Sequence, residues 1–536
     1  MSSFPLEKLF SRRVLVYRIT FPQFHRTVTA SPGERLSDII QKFLPNSWEW
    51  PCGGKGICGK CRVKIRWKKT SQPEIVLACQ TFLHSCAQVW LPTKGIRPRR
   101  TKILSRYYPA SEILAHSEET AKTYAVAVDV GTTTLVVSLA EWSSRGGKLL
   151  ATTCRPNPQA VYGADVLSRI DFAMRNQDGT RRLREMLLKT LQEMFQEIGS
   201  RKGISPADLK RLCVAGNTTM EEIFLGISPE SLGTYPFLPS PRLKSRYTQA
   251  DFPEKDVYAA LGLAPDAEIF VFPVIGGFVG GDITAGILFT EAVFPSFSTT
   301  LLLDIGTNGE MVLTQSGKRI ACATAAGPAL EGGTISCGMR AETGAISAVR
   351  RKGDSWQFRT LGKGKPIGIC GSGLIDLTAE LLRSGELTSD GRLLHTTSIA
   401  LTPNVVVTQN DLRQLQLAAG AIRAGIQILW QKQRLSPDAL EKVYVAGGFG
   451  KSLNIRNAQR IGLLPAEIPA EKFLFLGNTS LAGAVMGSGS ALRRNQAAQL
   501  ASQTEYLDLS QEPTFTETFM DCMMWPEGTL EKGGHS

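Results

Sequence analysis

Short segments of alternating apolar and polar residues dominate the N-terminal part of the chain. Val14–Thr20 and Phe24–Thr29 follow this period of two, which predicts two β-strands. The run SPGERLSDII, which starts at Ser31, predicts the beginning of a helix. The run CRVKIRW, which starts at Cys61, predicts a further strand.

A strand–turn–strand pattern occurs twice in the rest of the chain. Tyr124–Val130 is an apolar strand, Gly131–Thr134 forms a turn, and LVVSLA is a second strand. The pattern returns 175 residues later, where TLLLDI precedes the turn Gly306–Gly309 and the strand EMVL. Two copies of strand, Asp-x-Gly-Thr turn and strand predict two related lobes.

Apolar periodicity also predicts helices. Arg181–Ile198 carries its leucines and Phe195 on one helical face, which is typical of core packing. Leu417–Trp430 is rich in small residues, so this helix can pack closely on a neighbour. Arg97–Lys122 is polar, with weak periodicity and two prolines, and this predicts a linker.

Composition adds a charge signal that is confined to one end of the chain. The 536 residues include 61 Lys and Arg against 48 Asp and Glu, a formal charge of +13. Residues 1–100 hold 18 of the basic and 5 of the acidic residues, so the whole excess lies there. A basic excess is typical of nucleic-acid binding, but neither a helix-turn-helix nor an aromatic-rich basic strip is recognisable. We therefore expect no nucleic-acid partner.

Two further classes of protein are disfavoured. No apolar run reaches the roughly 18 residues of a membrane span, and the first residues lack the pattern of a secretory signal. The eleven cysteines are an odd number in a long chain, which argues against a secreted disulfide framework. We expect a cytoplasmic protein without a membrane span.

Four cysteines form a candidate metal site: Cys52, Cys58, Cys61 and Cys79. Their spacing is C-x5-C-x2-C-x17-C, and four thiolates are what a [2Fe-2S] cluster requires. The glycines between them suit a loop that wraps a cluster, and the flanking strands predict a ferredoxin-type β-grasp. A structural zinc site on the same thiols is the alternative. Cys86 could also replace Cys79 as the fourth ligand.

The two Asp-x-Gly-Thr turns have the chemistry of phosphate binding. An Asp at the end of each strand can hold Mg²⁺ through water, and the Gly lets phosphate oxygens approach the backbone. Threonine hydroxyls and turn N–H groups can donate hydrogen bonds to those oxygens. A third element, the strand VYVA with its two following glycines, suits close approach of an adenosine. The candidate residues are Asp129, Gly131, Thr132, Thr133, Asp304, Gly306, Thr307, Asn308, Gly447 and Gly448.

Other glycine-rich segments receive weaker interpretations. GFGKS is not a P-loop, because Val445 stands where that motif needs glycine, and GGFVGGD predicts a tight backbone turn. AGNTTM, AAGPALEGG and GICGSG suit the wall of a cleft, although each could be a simple turn. Cys322, Cys337 and Cys370 lack ligand spacing, which predicts buried thiols. No catalytic residue is assignable: Glu310 is a candidate water-positioner, but it is equally plausible as a structural residue.

A ferredoxin followed by a two-lobed nucleotide unit resembles the reductive activators of corrinoid-dependent proteins. Beyond PCGGKGICGKC and LACQT, the resemblance rests on NPQAVYGADVLSRI, AGNTTM, LLLDIGTNGEM, AAGPALEGGTISCGM, GICGSGLID, VYVAGGFG and LGNTSLAGAVMG. It implies an α/β multidomain protein with a β-grasp [2Fe-2S] domain, a linker and a two-lobed ASKHA domain of the actin and sugar-kinase type. It also implies ATP-dependent reduction of cob(II)alamin to cob(I)alamin on a corrinoid protein, an upstream low-potential electron donor, and a homodimer.

The expected domains are residues 1–96 for the ferredoxin, 97–122 for the linker, 123–203 for a middle domain or the first part of the ATPase core, and 204–536 for the C-terminal ASKHA domain. The resemblance leaves open whether the DVGTTT turn belongs to the ATP cleft. The basic N-terminal segment is expected to dock acidic surfaces on the electron donor or on the corrinoid protein.

Three other functions compete with this one. An activator of another low-potential enzyme, such as a radical dehydratase, would usually lack the ferredoxin domain. An iron-sulfur sensor that binds nucleic acid would need a helix-turn-helix or an aromatic-rich basic strip. A small-molecule kinase would leave the cysteine loop unexplained.

Overall fold

The computed structural model describes residues 16–44, 56, 61–68, 70, 72–91, 111–115, 117–252, 257–296, 298–448 and 453–526. The chain divides into two units, Met1–Arg99 and Arg100–Ser536. Among the residues described, no helix has both the length and the apolar character needed to cross a bilayer.

The first unit is built on a five-stranded mixed sheet that carries one helix. Its elements are β1 (Tyr17–Phe21), β2 (Arg26–Ala30), α1 (Leu36–Phe43), β3 (Arg62–Trp67), β4 (Glu74–Leu77) and β5 (Ala87–Trp90). The strand order is β2-β1-β5-β3-β4, and only the β1–β5 pair is parallel. This is a β-grasp, as predicted. The second strand begins two residues later than expected, because Pro22–Phe24 forms a 3-10 turn.

The second unit contains two lobes, of which the first spans residues 117–296. Its sheet has the order β10-β11-β9-β6-β7-β8. A short helix, α2 (Ser111–Ala115), precedes it. The elements of the lobe are β6 (Thr123–Val130), β7 (Thr134–Ser143), β8 (Gly146–Pro156), α3 (Val166–Arg175), α4 (Gly179–Ser200), β9 (Leu209–Gly216), α5 (Thr218–Leu225), β10 (Arg246–Tyr247), α6 (Val257–Leu261), β11 (Glu268–Val271) and α7 (Gly281–Val293).

The second lobe spans residues 298–526, and its main sheet has the order β21-β20-β12-β13-β14-β22. Its first elements are β12 (Thr299–Ile305), β13 (Gly309–Gln315), β14 (Lys318–Thr324), β15 (Ala345–Lys352), β16 (Ser355–Thr360), β17 (Gly368–Ile369), α8 (Gly371–Arg383), β18 (Ser398–Thr402), β19 (Val405–Thr408) and α9 (Gln409–Gln433). The remaining ones are β20 (Leu440–Gly447), α10 (Ile455–Arg460), β21 (Phe473–Gly477), α11 (Thr479–Gly489), α12 (Ala491–Ser502), β22 (Thr504–Tyr506) and α13 (Phe515–Met523).

The two lobes repeat one topology. In each, three antiparallel strands (β6–β8 or β12–β14) are followed by two strands that add in parallel beside the first of the three (β9 and β11, or β20 and β21). The repeat predicted from the two Asp-x-Gly-Thr turns is therefore confirmed. The division expected between residues 203 and 204 falls inside the first lobe, because β9 pairs with β6. The two sheets are separated by the interval between Val293 and Thr299.

Two helices rich in small residues fill the space between the sheets. Helix α7 follows β11, α11 follows β21, and both lie in a core that contains residues from the facing sides of both sheets. A Cβ atom on Gly483 of α11 would lie 2.1 Å from the carbonyl oxygen of Ala285 in α7, so the two backbones are in direct contact there. The indole N–H of the buried Trp142 donates to Ser488 Oγ at 3.1 Å and ties α11 to the first sheet.

The outer faces of the two sheets are covered by the predicted helices. Helix α4 buries Leu183, Leu187, Leu188, Leu191, Phe195 and Ile198, the residues assigned to its core face from the sequence. The long helix α9 lies in the second lobe, and Gly425 allows Met311 to pack against it. The small residues predicted to permit close packing therefore do so.

The last part of the predicted linker is packed against the second unit. Ile113 of α2 is buried in the core between the sheets. The carboxylate of Glu118 accepts hydrogen bonds from the backbone N–H groups of Ala491 and Leu492 at 3.0 Å each, at the start of α12. Arg211 pairs with Glu119 at 3.1 Å. Residues 111–115 and 117–122 thus belong to the second unit, so the linker ends earlier than residue 122.

We expect Gly483→Ala to lower the free energy of unfolding by about 1–3 kcal/mol, because its methyl group would overlap the backbone of Ala285. Chemical denaturation would measure the change. Gly364→Ala is the matched control, since no atom lies within 4 Å of a Cβ there, and it should change stability by less than about 0.5 kcal/mol. Equal effects of the two substitutions would contradict the proposed packing.

Candidate functional site

The two Asp-x-Gly-Thr turns meet at a single carboxylate. Thr307 Oγ1 donates to Glu331 Oε2 at 2.8 Å, and Thr133 Oγ1 donates to Glu331 Oε1 at 3.4 Å. One turn follows β6 in the first lobe and the other follows β12 in the second. The structure therefore places the DVGTTT turn at the same cleft as the DIGTNGE turn, a point that the sequence left open.

The two helices between the sheets, α7 and α11, each begin beside the strand-end aspartate of the other lobe. Asn478, which caps α11, donates from Nδ2 to Asp129 Oδ2 at 2.7 Å, and Ser480 Oγ donates to Asp129 Oδ1 at 2.9 Å. In the opposite direction, Asp282 in the first turn of α7 lies close enough to Asp304 for the two charges to interact. Each of the two strand-end aspartates, Asp129 and Asp304, therefore has a helix of the other lobe beside it.

Burial makes the acids of this cleft hard to ionise. It is the main cause that raises the pKa of Asp129 to about 6, despite the hydrogen bonds from Asn478 and Ser480. Burial also raises the pKa of Asp304 to about 7, with contributions from Asp129 and Glu331. The pKa of Asp282 is raised to about 8, by burial first and then by Asp304 and Asp129. A bound cation would favour the ionised form of all three carboxyl groups.

These acids suit a cation held through water molecules. Among the described residues, no three His, Cys, Asp or Glu side chains are arranged for direct metal coordination. Burial also raises the pKa of Glu310 well above its usual range, and the charges of Asp282 and Asp304 add to that shift. Both effects favour the protonated form of Glu310, which is a poor starting point for a base that orients water.

A buried arginine supports the first turn from behind. Arg169 donates from Nη2 to the carbonyl oxygen of Thr132, from Nε to that of Gly163 at 3.1 Å, and from Nη1 to Gln159 Oε1 at 3.0 Å. These acceptors are neutral, and burial lowers the pKa of Arg169 to about 9, so it remains charged at neutral pH. The charge of Asp165 favours the charged form of Arg169, and a positive charge held against the backbone of the turn favours an anion nearby.

Two asparagines fix the shape of the same turn. Asn157 donates from Nδ2 to the carbonyl oxygen of Gly131 at 2.9 Å, and its backbone N–H donates to that of Thr133 at 3.0 Å. Asn217 donates from Nδ2 to Thr132 Oγ1 at 2.9 Å. The segments NPQAVYGADVLSRI and AGNTTM therefore serve the turn as its immediate supports.

Glycine is required at the end of strand β20, whereas the position that follows β12 has room for a Cβ atom. Gly447 has φ +92°, and a Cβ atom there would lie 2.5 Å from the carbonyl oxygen of Ile305 and 2.7 Å from Asp304 Oδ1. Gly306 has no atom closer than 3.7 Å to its Cβ position, and its N–H donates to the carbonyl oxygen of Asn308. Gly448 is exposed. Crowding against Ile305 and Asp304 thus excludes a side chain at residue 447.

The remaining glycine-rich segments divide between the cleft and the scaffold. AAGPALEGG supplies Glu331, and GGFVGGD leads into Asp282. None of the GGFVGGD glycines has positive φ, so their backbone conformation does not require glycine. They are required by crowding instead: a Cβ atom on Gly280, for example, would lie 2.4 Å from Asn217 Cα. GICGSG instead begins α8, where Ser372 Oγ donates to the carbonyl oxygen of Ser347 at 2.9 Å.

Sequence reasoning missed five residues of this cleft: Arg169, Asp282, Glu331, Asn478 and Ser480. Each lies inside a segment that the sequence had marked, but none lies in an Asp-x-Gly-Thr turn. For Asn478 and Ser480 the available signal was Gly-Asn-Thr-Ser directly after an apolar strand, a pattern that residues 216–219 repeat as Gly-Asn-Thr-Thr.

Two of the four candidate cluster ligands lie together in the first unit. Cys61 and Cys79 are buried, and their Sγ atoms are 3.1 Å apart. Cys52 and Cys58 lie outside the described residues. Gly56 has φ +79°, and a Cβ there would lie 2.9 Å from the side chain of Gln80, the residue that follows Cys79.

Cys86 lies at the other end of strand β3. The register pairs Ala87 with Trp67, the last residue of β3, whereas Cys61 precedes its first residue. Cys86 Sγ accepts a hydrogen bond from the backbone N–H of Arg18 at 3.3 Å. This position does not suit a ligand shared with Cys61. In the second unit Cys322 and Cys370 are buried as predicted, and Cys337 is half-buried.

Three family models match the chain. A 2Fe-2S iron-sulfur cluster binding domain matches residues 21–84, the RACo middle region matches residues 124–292, and the C-terminal domain of RACo, the ASKHA domain, matches residues 298–533. The two RACo models together cover about three quarters of the chain, and their border coincides with the interval between α7 and β12. The first unit therefore contains a cluster-binding domain and the second an ASKHA domain.

Two curated proteins and one solved structure are similar to the chain over most of its length. Corrinoid activation enzyme RamQ of Eubacterium limosum is 27% identical over 608 residues, which covers 96% of this chain and 100% of the relative. The [Co(II) methylated amine-specific corrinoid protein] reductase of Methanosarcina barkeri is 28% identical over 76% of this chain and 78% of the relative. The structure of a reductive activator for corrinoid,iron-sulfur protein is 28% identical, with a TM-score of 0.67, and covers 95% of this chain and 98% of its own.

The raised pKa of Asp282 predicts a pH-dependent stability. The folded protein retains this proton up to pH about 8, whereas the unfolded chain releases it near the ordinary value of 3.8. Without divalent cations, the free energy of unfolding should therefore fall as pH rises from about 4 to about 8. Asp282→Asn, which cannot ionise, should reduce this fall, as measured by urea denaturation in the presence of a chelator. The exposed substitution Asp354→Asn should keep the wild-type profile, and an unchanged profile for Asp282→Asn would refute the assignment.

Proposed function

Because the chain belongs to the family of reductive activators of corrinoid-dependent proteins, we propose that it reduces the cobalt of a corrinoid protein from cob(II)alamin to cob(I)alamin in a reaction that depends on ATP. The observation that carries the proposal is the union of a cluster-binding domain with a cleft in which both Asp-x-Gly-Thr turns meet at Glu331. The first can carry single electrons, and the second has the chemistry of a phosphate site.

The proposed cluster ligands are Cys52, Cys58, Cys61 and Cys79. Support comes from the contact between Cys61 and Cys79 and from the position of Gly56 against Gln80. The bound [2Fe-2S] cluster would supply one electron at a time, and the plant-type ferredoxin cluster gives the scale of such a potential, about −400 mV. Zinc on the same thiols would give no visible absorption, so the spectrum of the protein distinguishes the two metals.

The proposed nucleotide is Mg²⁺-ATP. Asp129 and Asp304 would hold the cation through water, and the hydroxyl and N–H groups of the two turns would donate to phosphate oxygens. Gly447 and Gly448 leave room for the adenosine. The positive charge of Arg169 behind the first turn favours the phosphate there, and the raised pKa values of the cleft acids fit a cation in front of it.

Glu331 would exchange its hydrogen-bond partners when the nucleotide binds. Thr133 and Thr307 donate to this carboxylate, and the same hydroxyls can instead donate to a phosphate oxygen. Glu331 would then be released next to the phosphate, where a half-buried carboxylate can orient a water molecule. Glu331 is therefore a better candidate for positioning the water than Glu310, which is buried and has a raised pKa.

ATP is needed because cobalt reduction is uphill from a cluster of this potential. A nucleotide shifts such an equilibrium only through different affinities for two states, here the open and closed arrangements of the two lobes. We propose that the closed arrangement changes the affinity for the corrinoid protein, and that the family's homodimer and a low-potential electron donor complete the system.

The proposed domains are the ferredoxin at residues 1–96 and an ASKHA unit whose lobes divide between α7 and β12.

The function is tested by mixing the reduced protein with a corrinoid protein under anaerobic conditions and following the cobalt absorbance. We expect cob(I)alamin to form when ATP and Mg²⁺ are present. Without them, the amount of cob(I)alamin formed should be much smaller. Cys58→Ala should lose the iron-sulfur spectrum and keep ATP binding, whereas Asp304→Ala should keep the spectrum and lose ATP binding. Cobalt reduction that is indifferent to ATP would contradict the proposal, and a coloured Cys58→Ala protein would contradict the ligand set.

The role of Glu331 is tested by Glu331→Gln, which keeps the acceptor oxygen but removes the negative charge. ATP should bind more tightly, because the phosphate no longer competes with a carboxylate, and hydrolysis should slow by about 100-fold or more. Titration calorimetry and phosphate release measure the two effects. Glu310→Gln is the matched control and should hydrolyse ATP at close to the wild-type rate; the opposite ranking of the two variants would exclude this role for Glu331.

A further inference from the structure

Strand β3 of the first unit presents a row of cations on one face of the sheet. Its buried positions are Val63, Ile65 and Trp67, so the alternate residues Arg62, Lys64 and Arg66 point away from the core and are exposed. Alternate residues of a strand are about 7 Å apart. Lys68 is also exposed and follows directly after the strand. We call this side of the sheet the basic face.

The neighbouring strands add uncharged residues to the basic face. The register places Ile75 of β4 and Trp90 of β5 on either side of Lys64, and Gln88 beside Arg66. The guanidinium of Arg66 lies 5.7 Å from the centre of the Trp90 ring and donates to Gln88 Oε1. Ile75 is 73% exposed, which is unusual for an isoleucine. The face therefore combines positive charge with an exposed apolar side chain.

No acid balances the basic face within the part of this unit that the structure describes. The three acids in that part are used elsewhere: Glu34 accepts from the backbone N–H of Ser31, Asp38 from the hydroxyl of Ser37, and Glu74 from the indole N–H of Trp67. Like charges spaced along one strand repel each other and do not stabilise the sheet. A merely solubilising surface would mix charges of both signs.

We propose that the basic face docks an acidic electron-carrier protein that reduces the cluster. This rests on the proposed function, which requires a one-electron donor. The face begins at Arg62, directly after the candidate ligand Cys61, so a protein seated there approaches the cluster. One electron leaves the reduced carrier and enters the oxidised cluster, and no bond or proton is exchanged.

The charge distribution favours the electron donor over the corrinoid protein as the occupant. In the proposed function, ATP controls the affinity for the corrinoid protein, so that protein must contact the ATP-binding unit. Beyond residue 100 the chain carries 43 basic and 43 acidic residues, so that unit has little net charge for attracting a partner. The encounter that electrostatic steering accelerates is therefore the one made by the basic face.

The test measures the reduction of the cluster in the full chain by stopped-flow spectroscopy, with a reduced acidic ferredoxin as the probe. The double variant Lys64→Glu and Arg66→Glu should lower the bimolecular rate constant at low salt by about tenfold or more. The difference should vanish at about 0.5 M salt, where charges are screened within a few ångströms. The double variant Arg26→Glu and Lys42→Glu is the matched control. Arg26 pairs with the inward-facing Phe21 and so lies on the side of the sheet opposite to the basic face, and Lys42 lies on α1. This control variant should react like the wild type.

Two further measurements separate this proposal from the proposed function. Reduction by dithionite, which needs no docking, should be unchanged in the double variant, and the pre-reduced variant should still reduce the cobalt in the presence of ATP. If the pre-reduced variant fails in cobalt reduction while ferredoxin reduces it normally, the basic face serves the corrinoid protein and the proposal is overturned. Salt-sensitive binding of a DNA duplex that the double variant loses, with unchanged ferredoxin kinetics, would equally overturn it in favour of nucleic acid.

Discussion

Carboxylic acids buried where the two main sheets end set the constraint on which the second unit depends. Charging a buried carboxyl group costs far more than charging it in water, unless a cation or a set of hydrogen-bond donors compensates. Asp129 obtains two donors from the start of α11. After burial itself, the charge of Asp304 raises the pKa of Asp282, and the charges of Asp282 and Asp304 raise the pKa of Glu310. Such a cleft is poorly satisfied by the protein alone, and its charge is complementary to a divalent cation carried in by a polyphosphate.

The surrounding structure serves to place these acids without collapsing on them. The backbone contact between Gly483 and Ala285 brings α7 and α11 close enough for each to start at the cleft. Gly447 permits β20 to pass directly behind Asp304. Arg169 adds a positive charge that is held against the first turn through the carbonyl oxygen of Thr132.

The sequence predicted the parts of this arrangement that are local in the chain. The strands beside each Asp-x-Gly-Thr turn, the face of α4 and the β-grasp all follow from periodicity and turn residues within short windows. It could not predict that Glu331 bridges the two turns, because that contact joins residues 198 positions apart through a hydrogen bond at the edge of normal length. Asp282 follows a glycine-rich loop whose shape is fixed by crowding against Asn217, which is a tertiary effect. The boundary at residue 203 was misplaced because the parallel pairing of β9 with β6 spans the whole of α4.

The exchange of helix N-termini between the lobes has a further consequence. Each lobe reaches into the other by the same element, which is the reciprocal pattern of an isologous dimer interface, here realised within one polypeptide. The reciprocity is exact in topology but broken in chemistry, since α7 presents a carboxylate where α11 presents an amide and a hydroxyl. The two related halves of the scaffold therefore offer different groups, so the two ends of an elongated anionic ligand would meet different surroundings.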